Sequence, residues 1–264
     1  MEERALYIPD GDGYVGTILT QGGWHPDQAN GGTVLALLGH CLEDVPSLVP
    51  MQISRFTADL VRPVPLGRRV HVRHEILREG KKIQVVLLRL LVDDVEHVRA
   101  TALRLRLEDL SDAEVPSSTT DDRPGDLLAP LEEAVSHRGN PEAPGFLGGV
   151  DLRRVPRRDG TGFGSWLRLD VAVVAGEPVR ATSRLTVGFD FANLIGVDVH
   201  PERLTMINPD VTAHVLRPPV DEWIAIVGDT RFEPRLGRGV SSATLNDSAG
   251  LFALVSISQL LQRR

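Results

Sequence analysis

The chain has 264 residues, of which 42% are apolar and 25% are charged, a composition typical of a globular protein with one large or two smaller domains. The formal net charge of −7 argues against broad nucleic-acid binding, which needs a basic face, and a single cysteine excludes an intrachain disulfide. Met1–Arg4 lack the pattern of a signal peptide, and no apolar stretch reaches the roughly 18 residues of a membrane helix, so we expect a cytoplasmic protein without membrane contact.

The first half of the chain predicts one apolar helix and a series of strands. The helix covers 31–44, with Asn30 as its N-cap and Pro46 just beyond its end. It is apolar on nearly all sides, so we expect other structure to enclose it. In this half, one strand is predicted near 14–20 and another ends at Arg62-Pro63. Three more are predicted at 69–77, 83–92 and 97–107.

Residues 111–145 separate two halves of similar pattern. This stretch is rich in Ser, Asp, Glu and Pro, which is typical of a surface linker, and one helical turn is expected near 126–136. We therefore expect a domain over 1–110, a linker over 111–145 and a second domain over 146–264.

The second half repeats the order of elements found in the first. A helix is predicted over 180–195, ending before Gly196. In this half, one strand is predicted near 163–174 and another ends at Arg217-Pro218. Three more are predicted at 223–232, 239–245 and 251–261.

A short internal repeat connects the two halves. Residues 57–63 read T-A-D-L-V-R-P and residues 212–218 read T-A-H-V-L-R-P, an offset of 155 residues. This offset is much longer than the roughly 20–50 residues of a solenoid repeat, so we interpret it as a duplicated domain.

Three motifs carry a resemblance to a known family: G-G-W-H-P-D-Q-A-N-G-G-T at 22–33, T-A-D-L-V-R-P-V-P-L-G at 57–67, and I-N-P-D-V-T-A-H-V-L-R-P-P-V-D-E-W at 207–223. Together they resemble the bacterial acyl-CoA thioesterase II group and the wider thioesterase-like family, over nearly the whole chain except the linker. The resemblance implies an α+β double hotdog, in which two tandem antiparallel sheets each wrap a long helix. It also implies hydrolysis of acyl-CoA, or of a related thioester, to the free acid and CoA.

The same resemblance implies a catalytic trio in the second half. Family members hold and polarise one water with an Asp, a Thr and a Gln, which map onto Asp210, Thr230 and Gln259. Thioester hydrolysis needs a positioned water, an acceptor for its proton and donors for the developing oxyanion. Asp210 would accept the proton, while Thr230 and Gln259 would orient the water.

Substrate is expected at the start of the first-half helix. Gly31 and Gly32 correspond to a Gly-Gly pair of the family, and their backbone N–H groups would face the oxyanion from a helix N-terminus. Thr33, where the family often has Gln, and His25, on the preceding loop, complete the predicted substrate-binding residues.

Two other functions remain open at this point. His25 and Asp27 could form the His/Asp pair of an enoyl-CoA hydratase, and a hotdog protein can also bind an acyl thioester without reacting with it. The eight histidines show no metal-ligand spacing, and P-loop, dinucleotide-binding and G-x-S-x-G motifs are absent from the sequence, so neither a metal nor a cofactor is expected. The analogy with other hotdog sheets, which commonly associate, leaves a homo-oligomer open.

Overall fold

A computed structural model describes residues 4–113, 123–136, 145–193 and 203–264 of the chain. Residues 4–113 form one α-helix and six strands. The helix α1 spans Gly31–Glu43. The strands are β1 (Ala5–Asp10), β2 (Gly13–Gly16), β3 (Met51–Leu60), β4 (Arg69–Arg78), β5 (Ile83–Val92) and β6 (Val95–Arg106).

The later described residues add two helices and nine strands. The helices are α2 (Pro124–Leu127) and α3 (Ala181–Asp190), and α3 continues as a 3-10 turn over Phe191–Asn193. The strands are β7 (Val135–Ser136), β8 (Val150–Pro156), β9 (Phe163–Leu169), β10 (Ala172–Val174), β11 (Leu204–Ile207), β12 (Asp210–Val215), β13 (Trp223–Glu233), β14 (Arg238–Asp247) and β15 (Gly250–Arg263).

The two predicted three-strand meanders are confirmed to within about two residues at each end, as β4–β6 and β13–β15. The strand predicted near 14–20 ends earlier than expected, at Gly16. The Thr17 side chain accepts a hydrogen bond from Leu19 N and caps a 3-10 turn that follows. The run predicted as one strand over 163–174 is two strands, β9 and β10. Within the expected linker, residues 114–122 and 137–144 lie outside the described part of the chain.

The strands form one hydrogen-bonded sheet rather than the two tandem sheets that we expected. Fourteen of its fifteen strands follow the order β10-β1-β2-β4-β5-β6-β3-β12-β15-β14-β13-β9-β8-β7, and β11 pairs with β15 off this path. The pairing of β3 with β12, called here the central strand pair, joins the halves. The pairing is antiparallel except between β1 and β10, which makes the sheet mixed.

The internal repeat lies on this central strand pair. Thr57 and Thr212, the first residues of the two repeat copies, are direct partners across it. Outward from the pair, β6, β5, β4, β2 and β1 follow on one side, and β15, β14, β13, β9 and β8 follow on the other. The two halves are therefore related by a local twofold axis between the two threonines.

Helices α1 and α3 pack against each other in opposite directions. Gly31, at the start of α1, lies against Asp190 at the end of α3, and a Cβ added at Gly31 would lie 2.7 Å from the Asp190 Oδ1 atom. Near the other end of α1, a Cβ at Gly39 would lie only 2.3 Å from Thr186 Oγ1. Glycine is therefore required where the two helices approach most closely.

One main apolar core spans both halves. It contains Leu37 of α1, Phe56 of β3, Phe189 of α3 and Phe252 of β15, all fully buried. Because buried residues of both halves pack together in this one core, the stability of each half depends on the other. Within the described residues, none of the helices is both long and apolar enough to cross a membrane.

Candidate active site

The C-terminal end of α3 carries a buried carboxylate, Asp190. Its Oδ2 accepts a hydrogen bond from Gly32 N of α1 (2.9 Å), and its Oδ1 accepts one from the Asn208 side chain (2.9 Å). Burial raises the pKa of Asp190 above its usual range, although both hydrogen bonds act in the opposite direction. A carboxylate with a raised pKa is suited to accept a proton near neutral pH.

A chain of side-chain amides extends from this carboxylate. Asn208, which donates to Asp190, accepts a hydrogen bond in turn from the Asn193 side chain (3.0 Å). The backbone oxygen of Asn193 accepts from Gln259 Nε2 (3.3 Å) and lies 3.5 Å from Thr230 Oγ1. Asn193 therefore connects the buried carboxylate to two of the three predicted catalytic residues.

Gln259 and Thr230 meet at a third polar residue, Ser241. Gln259 Nε2 donates to Ser241 Oγ (2.9 Å), and Ser241 Oγ lies 2.7 Å from Thr230 Oγ1. Because the amide nitrogen serves both Ser241 and Asn193, the orientation of the Gln259 side chain is fixed. Its Oε1 is buried and has no hydrogen-bond partner among the described residues.

A cavity of about 690 Å³ opens beside Asp190, with both polar and apolar walls. Asp190, Asn193 and Asn208 line its polar side, together with Gly31 and His25. Its apolar side includes Val34, Leu60, Val64, Val98, Phe146 and Phe191. Thr230 and Gln259 adjoin this wall through Asn193 rather than lining it. The size and mixed lining fit a small-molecule ligand with an apolar part.

Asp210, the predicted base, is not part of this arrangement. In β12, Val211, Ala213 and Val215 are buried, so Asp210 and His214 lie on the opposite face of the strand. The Asp210 carboxylate accepts a hydrogen bond from Ser258 N (2.8 Å) and does not line the cavity. The structure thus separates Asp210 from Thr230 and Gln259.

The glycine pair and Thr33 also differ from what was expected. The N–H of Gly32 is taken by Asn30 Oδ1 (2.8 Å) and by Asp190, so it positions a carboxylate instead of facing an oxyanion. Thr33 is fully buried and its hydroxyl donates to Asn30 O (2.8 Å) within the first helical turn. Gly31 and His25, in contrast, do line the cavity, and Asn30 is the N-cap that the sequence predicted.

Sequence reasoning missed Asp190, Asn193, Asn208 and Ser241. A signal for the first was available: Asp190 is the single charged residue in the otherwise apolar stretch V-G-F-D-F-A over residues 187–192. A charge in such a stretch is expensive to bury, so it often marks a functional site. The polar partners had no comparable signal, because Asn and Ser are common in surface turns.

Two sequence profiles match the chain. The profile of the acyl-CoA thioesterase N-terminal domain matches residues 20–105, and that of the acyl-CoA thioesterase C-terminal domain matches residues 109–258. None of the curated proteins matches the chain.

Solved structures share the fold over nearly the whole chain. A protein from Thermobifida fusca YX with a provisional thioesterase II assignment is 17% identical, with a TM-score of 0.72, over 97% of this chain and 95% of that one. An acyl-CoA thioesterase II from Mycobacterium marinum is 17% identical, with a TM-score of 0.63, over 97% and 93%. A protein of unknown function with a hot dog fold from Alicyclobacillus acidocaldarius is 14% identical, with a TM-score of 0.65, over 97% and 95%. The fold is therefore of the hotdog type.

Proposed function

This chain belongs to the acyl-CoA thioesterase family and hydrolyses acyl-CoA thioesters, and we propose that Asp190 is the general base that activates the attacking water. The observation that carries this role is a buried carboxylate, held by Gly32 N–H and by Asn208, in the wall of the large cavity. Deprotonated Asp190 would take a proton from water as the water oxygen attacks the thioester carbonyl. Collapse of the tetrahedral intermediate would then release the CoA thiolate and the free acid.

Thr230 and Gln259 are proposed to orient the same water. An ordered water is expected at a buried amide oxygen that lacks a protein partner, and Gln259 Oε1 has none among the described residues. Gln259 Nε2 donates to Ser241 Oγ, which lies 2.7 Å from Thr230 Oγ1, and the Thr230 hydroxyl donates to Asn193 O (3.5 Å). We propose that Gln259 Oε1 accepts from the water directly, and that Thr230 keeps the Gln259 amide in place through Ser241 and Asn193.

The oxyanion is proposed to form near Gly31 at the start of α1. Gly31 lines the cavity, and its N–H makes no hydrogen bond to any other described residue. A helix N-terminus offers such unused donors and a favourable dipole. Gly31 thus retains the role first expected for the pair, whereas Gly32 supports the base.

The cavity walls suggest how the two parts of the substrate are bound. The apolar wall that includes Val34, Leu60 and Phe191 is proposed to hold the acyl chain. Arg62 lines the same cavity, and the Arg264 guanidinium lies 5.9 Å from the ring centre of Trp24, which also lines it. These two cations are suited to the phosphates of CoA.

We further propose that each half of the chain is one hotdog unit, with boundaries inside the segment 111–145. The repeated strand order on both sides of the central strand pair supports this division. A cytoplasmic location in lipid metabolism is proposed because acyl-CoA is an intracellular substrate and Cys41 is a free thiol, as expected in a reducing compartment.

The raised pKa of Asp190 predicts the pH dependence of hydrolysis. Only the carboxylate form can accept a proton, so kcat/KM is expected to fall as the pH is lowered through the pKa of Asp190. That decline should lie above pH of about 3.9, the usual Asp value. It is checked by measuring kcat/KM against pH, with circular dichroism to show that the fold persists. A decline centred at or below the usual Asp value would contradict the role of Asp190.

Thr230→Val is expected to lower kcat by about 10- to 100-fold, because the hydroxyl that holds Ser241, and through it the Gln259 amide, is lost while the shape of the side chain is kept. Thr212→Val is the matched control, since this threonine lies on a strand face away from the buried core and should retain wild-type turnover. Release of CoA thiol by each variant measures the effect. Equal activities of the two variants would remove Thr230 from the mechanism.

A thiol-release assay also separates this function from its two alternatives. We expect saturated acyl-CoA to release CoA thiol. A hydratase would instead convert enoyl-CoA without releasing thiol, and a non-catalytic binder would retain acyl-CoA intact. His25 and Asp27, the pair that a hydratase would need, are both largely exposed, with side-chain accessibilities of 52% and 87%. Such exposure does not favour a catalytic pair.

A further inference from the structure

A second cavity, of about 330 Å³, lies at the opposite ends of α1 and α3 from the candidate active site. It occupies the position that the local twofold axis generates from the first. Leu60, Pro63 and Asn208 line the first cavity, and their counterparts at the 155-residue offset, Val215, Pro218 and Ile53, line the second. The second cavity is therefore the other copy of the catalytic cavity.

The helix ends are arranged alike in the two copies. At the first cavity, the N–H of Gly32, the second residue of α1, donates to Asp190. At the second cavity, the N–H of Thr182, the second residue of α3, donates to Glu43 Oε1 (2.8 Å) at the end of α1. The carboxylate at the second cavity is exposed rather than buried, so it lacks the environment that raises the pKa of Asp190.

The second copy has a cation where the first has its catalytic amide. The counterpart of Gln259 is Arg104, and the sheet register confirms the equivalence, because Gln259 pairs with Gly239 and Arg104 pairs with Gln84, both at the same offset. Arg104 is only 9% exposed and lines the second cavity. A guanidinium stays charged even when burial lowers its pKa, as it does here.

Arg104 also has donors to spare. Its Nη1 donates to Val45 O (2.8 Å) and to Gln84 Oε1 (2.9 Å). Its Nε and Nη2 have no partner among the described residues and are not fully enclosed. The nearby Glu79 accepts from Gln84 Nε2 (3.0 Å), and Glu43 is held by Thr182, so both acidic groups already have partners. A guanidinium with two unused N–H groups can donate two hydrogen bonds to the two oxygens of a carboxylate.

We propose that the second cavity is a non-catalytic site for an amphiphilic carboxylate, such as a short or medium-chain fatty acid. Arg104 binds the carboxylate head, and the apolar side chains of Leu42, Met51, Ile53, Leu185 and Val215 surround the tail. The volume of this cavity lies at the lower end of the range for small-molecule sites, which limits the length of the tail. The site stands on its own geometry and does not require the hydrolase mechanism.

Met51 provides a local probe for this proposal. The structure describes two of the three methionines, Met51 and Met206, and of these two only Met51 lines the second cavity. With protein labelled at the methionine methyl carbons, a titration with octanoate is expected to shift the Met51 methyl resonance in a saturable way. Octanol, which lacks the carboxylate, and acetate, which lacks the tail, should each bind at least 10-fold more weakly.

Arg104→Gln restores the residue of the catalytic copy and is expected to weaken octanoate binding at Met51 by about 10-fold or more, whereas Arg104→Lys should retain part of it. Ile53→Phe leaves the cation in place but fills the cavity, so it should also abolish the shift. No Met51 shift at millimolar octanoate, an equal shift with octanol, or an unchanged shift in Arg104→Gln would overturn the proposal. Thiol release by the wild-type protein is measured separately, so failure of this site is distinguishable from failure of the catalytic mechanism.

Discussion

Asp190→Asn is expected to lower kcat/KM for acyl-CoA hydrolysis by about 10²- to 10⁴-fold, the usual contribution of a general base. The amide has nearly the shape of the carboxylate, and its oxygen can still accept from Gly32 N, but its nitrogen cannot accept from Asn208 and it cannot take a proton from water. Asp210→Asn is the matched control, because this carboxylate lies on the other face of β12 and should be replaceable without loss of turnover. Thiol release from acyl-CoA by the two variants gives the comparison. The assignment fails if Asp210→Asn, and not Asp190→Asn, is inactive.

The same substitution should also affect stability, with a defined sign. The pKa of Asp190 is raised in the folded state, so the folded protein holds this proton more tightly than the unfolded chain does. The free energy of unfolding therefore falls as the pH rises from the usual Asp pKa to the folded-state pKa, and that cost persists at higher pH. Asp190→Asn removes this cost but loses the hydrogen bond from Asn208, so its midpoint of denaturation relative to that of the wild type should rise as the pH is raised through the pKa of Asp190. A difference between the two midpoints that stays constant over this pH range would contradict the raised pKa.

Phe189→Ala is expected to lower the free energy of unfolding by about 3–5 kcal/mol, the range for removal of a fully buried aromatic side chain. Phe189 is completely buried on α3, and its ring centre lies 5.9 Å from that of Phe56 on β3. The contact joins the second-half helix to a first-half strand, so the loss should destabilise both halves together. Urea denaturation followed by circular dichroism measures the change.

Phe163→Ala is the control for that experiment. Phe163 is 40% exposed and lies 4.3 Å from the Arg154 guanidinium, a contact worth about 1 kcal/mol or less at the surface. If Phe189→Ala cost no more than Phe163→Ala, the single core shared by the two halves would not have the importance assigned to it.

The longer elements of the fold could be predicted from sequence because their signals are local. The strands β4–β6 and β13–β15 are apolar runs bounded by turn residues, and α1 has a good N-cap in Asn30. Short strands such as β7 and β11 carry too few residues to show a pattern. The single continuous sheet could not be foreseen, because the pairing of β3 with β12 is a hydrogen-bonding contact between segments about 155 residues apart.

The candidate site was predicted in part, for a reason that lies in strand geometry. Thr230 and Gln259 do meet, through Ser241 and Asn193, as the resemblance implied. Asp210 lies outside the cavity. Counting back from an Arg-Pro pair fixes a position along β12 but not the face on which the side chain lies. That face follows from the alternation along β12, where Val211, Ala213 and Val215 are buried and Asp210 lies on the other side of the strand.

The antiparallel contact centred on Thr57 and Thr212 has a consequence for how such a chain can be divided. A polypeptide ending before the second half would leave β3 as an open edge, with its backbone donors and acceptors unsatisfied. In the intact chain, β3 pairs with β12, which carries the second copy of the same repeat. After the cut, the strand most similar to the missing β12 is therefore β3 of a second molecule of the same half. Cutting the chain in two should therefore yield self-associating halves instead of two monomeric domains, and a homodimer of the first half would carry the arginine-lined cavity twice and the Asp190 cavity not at all.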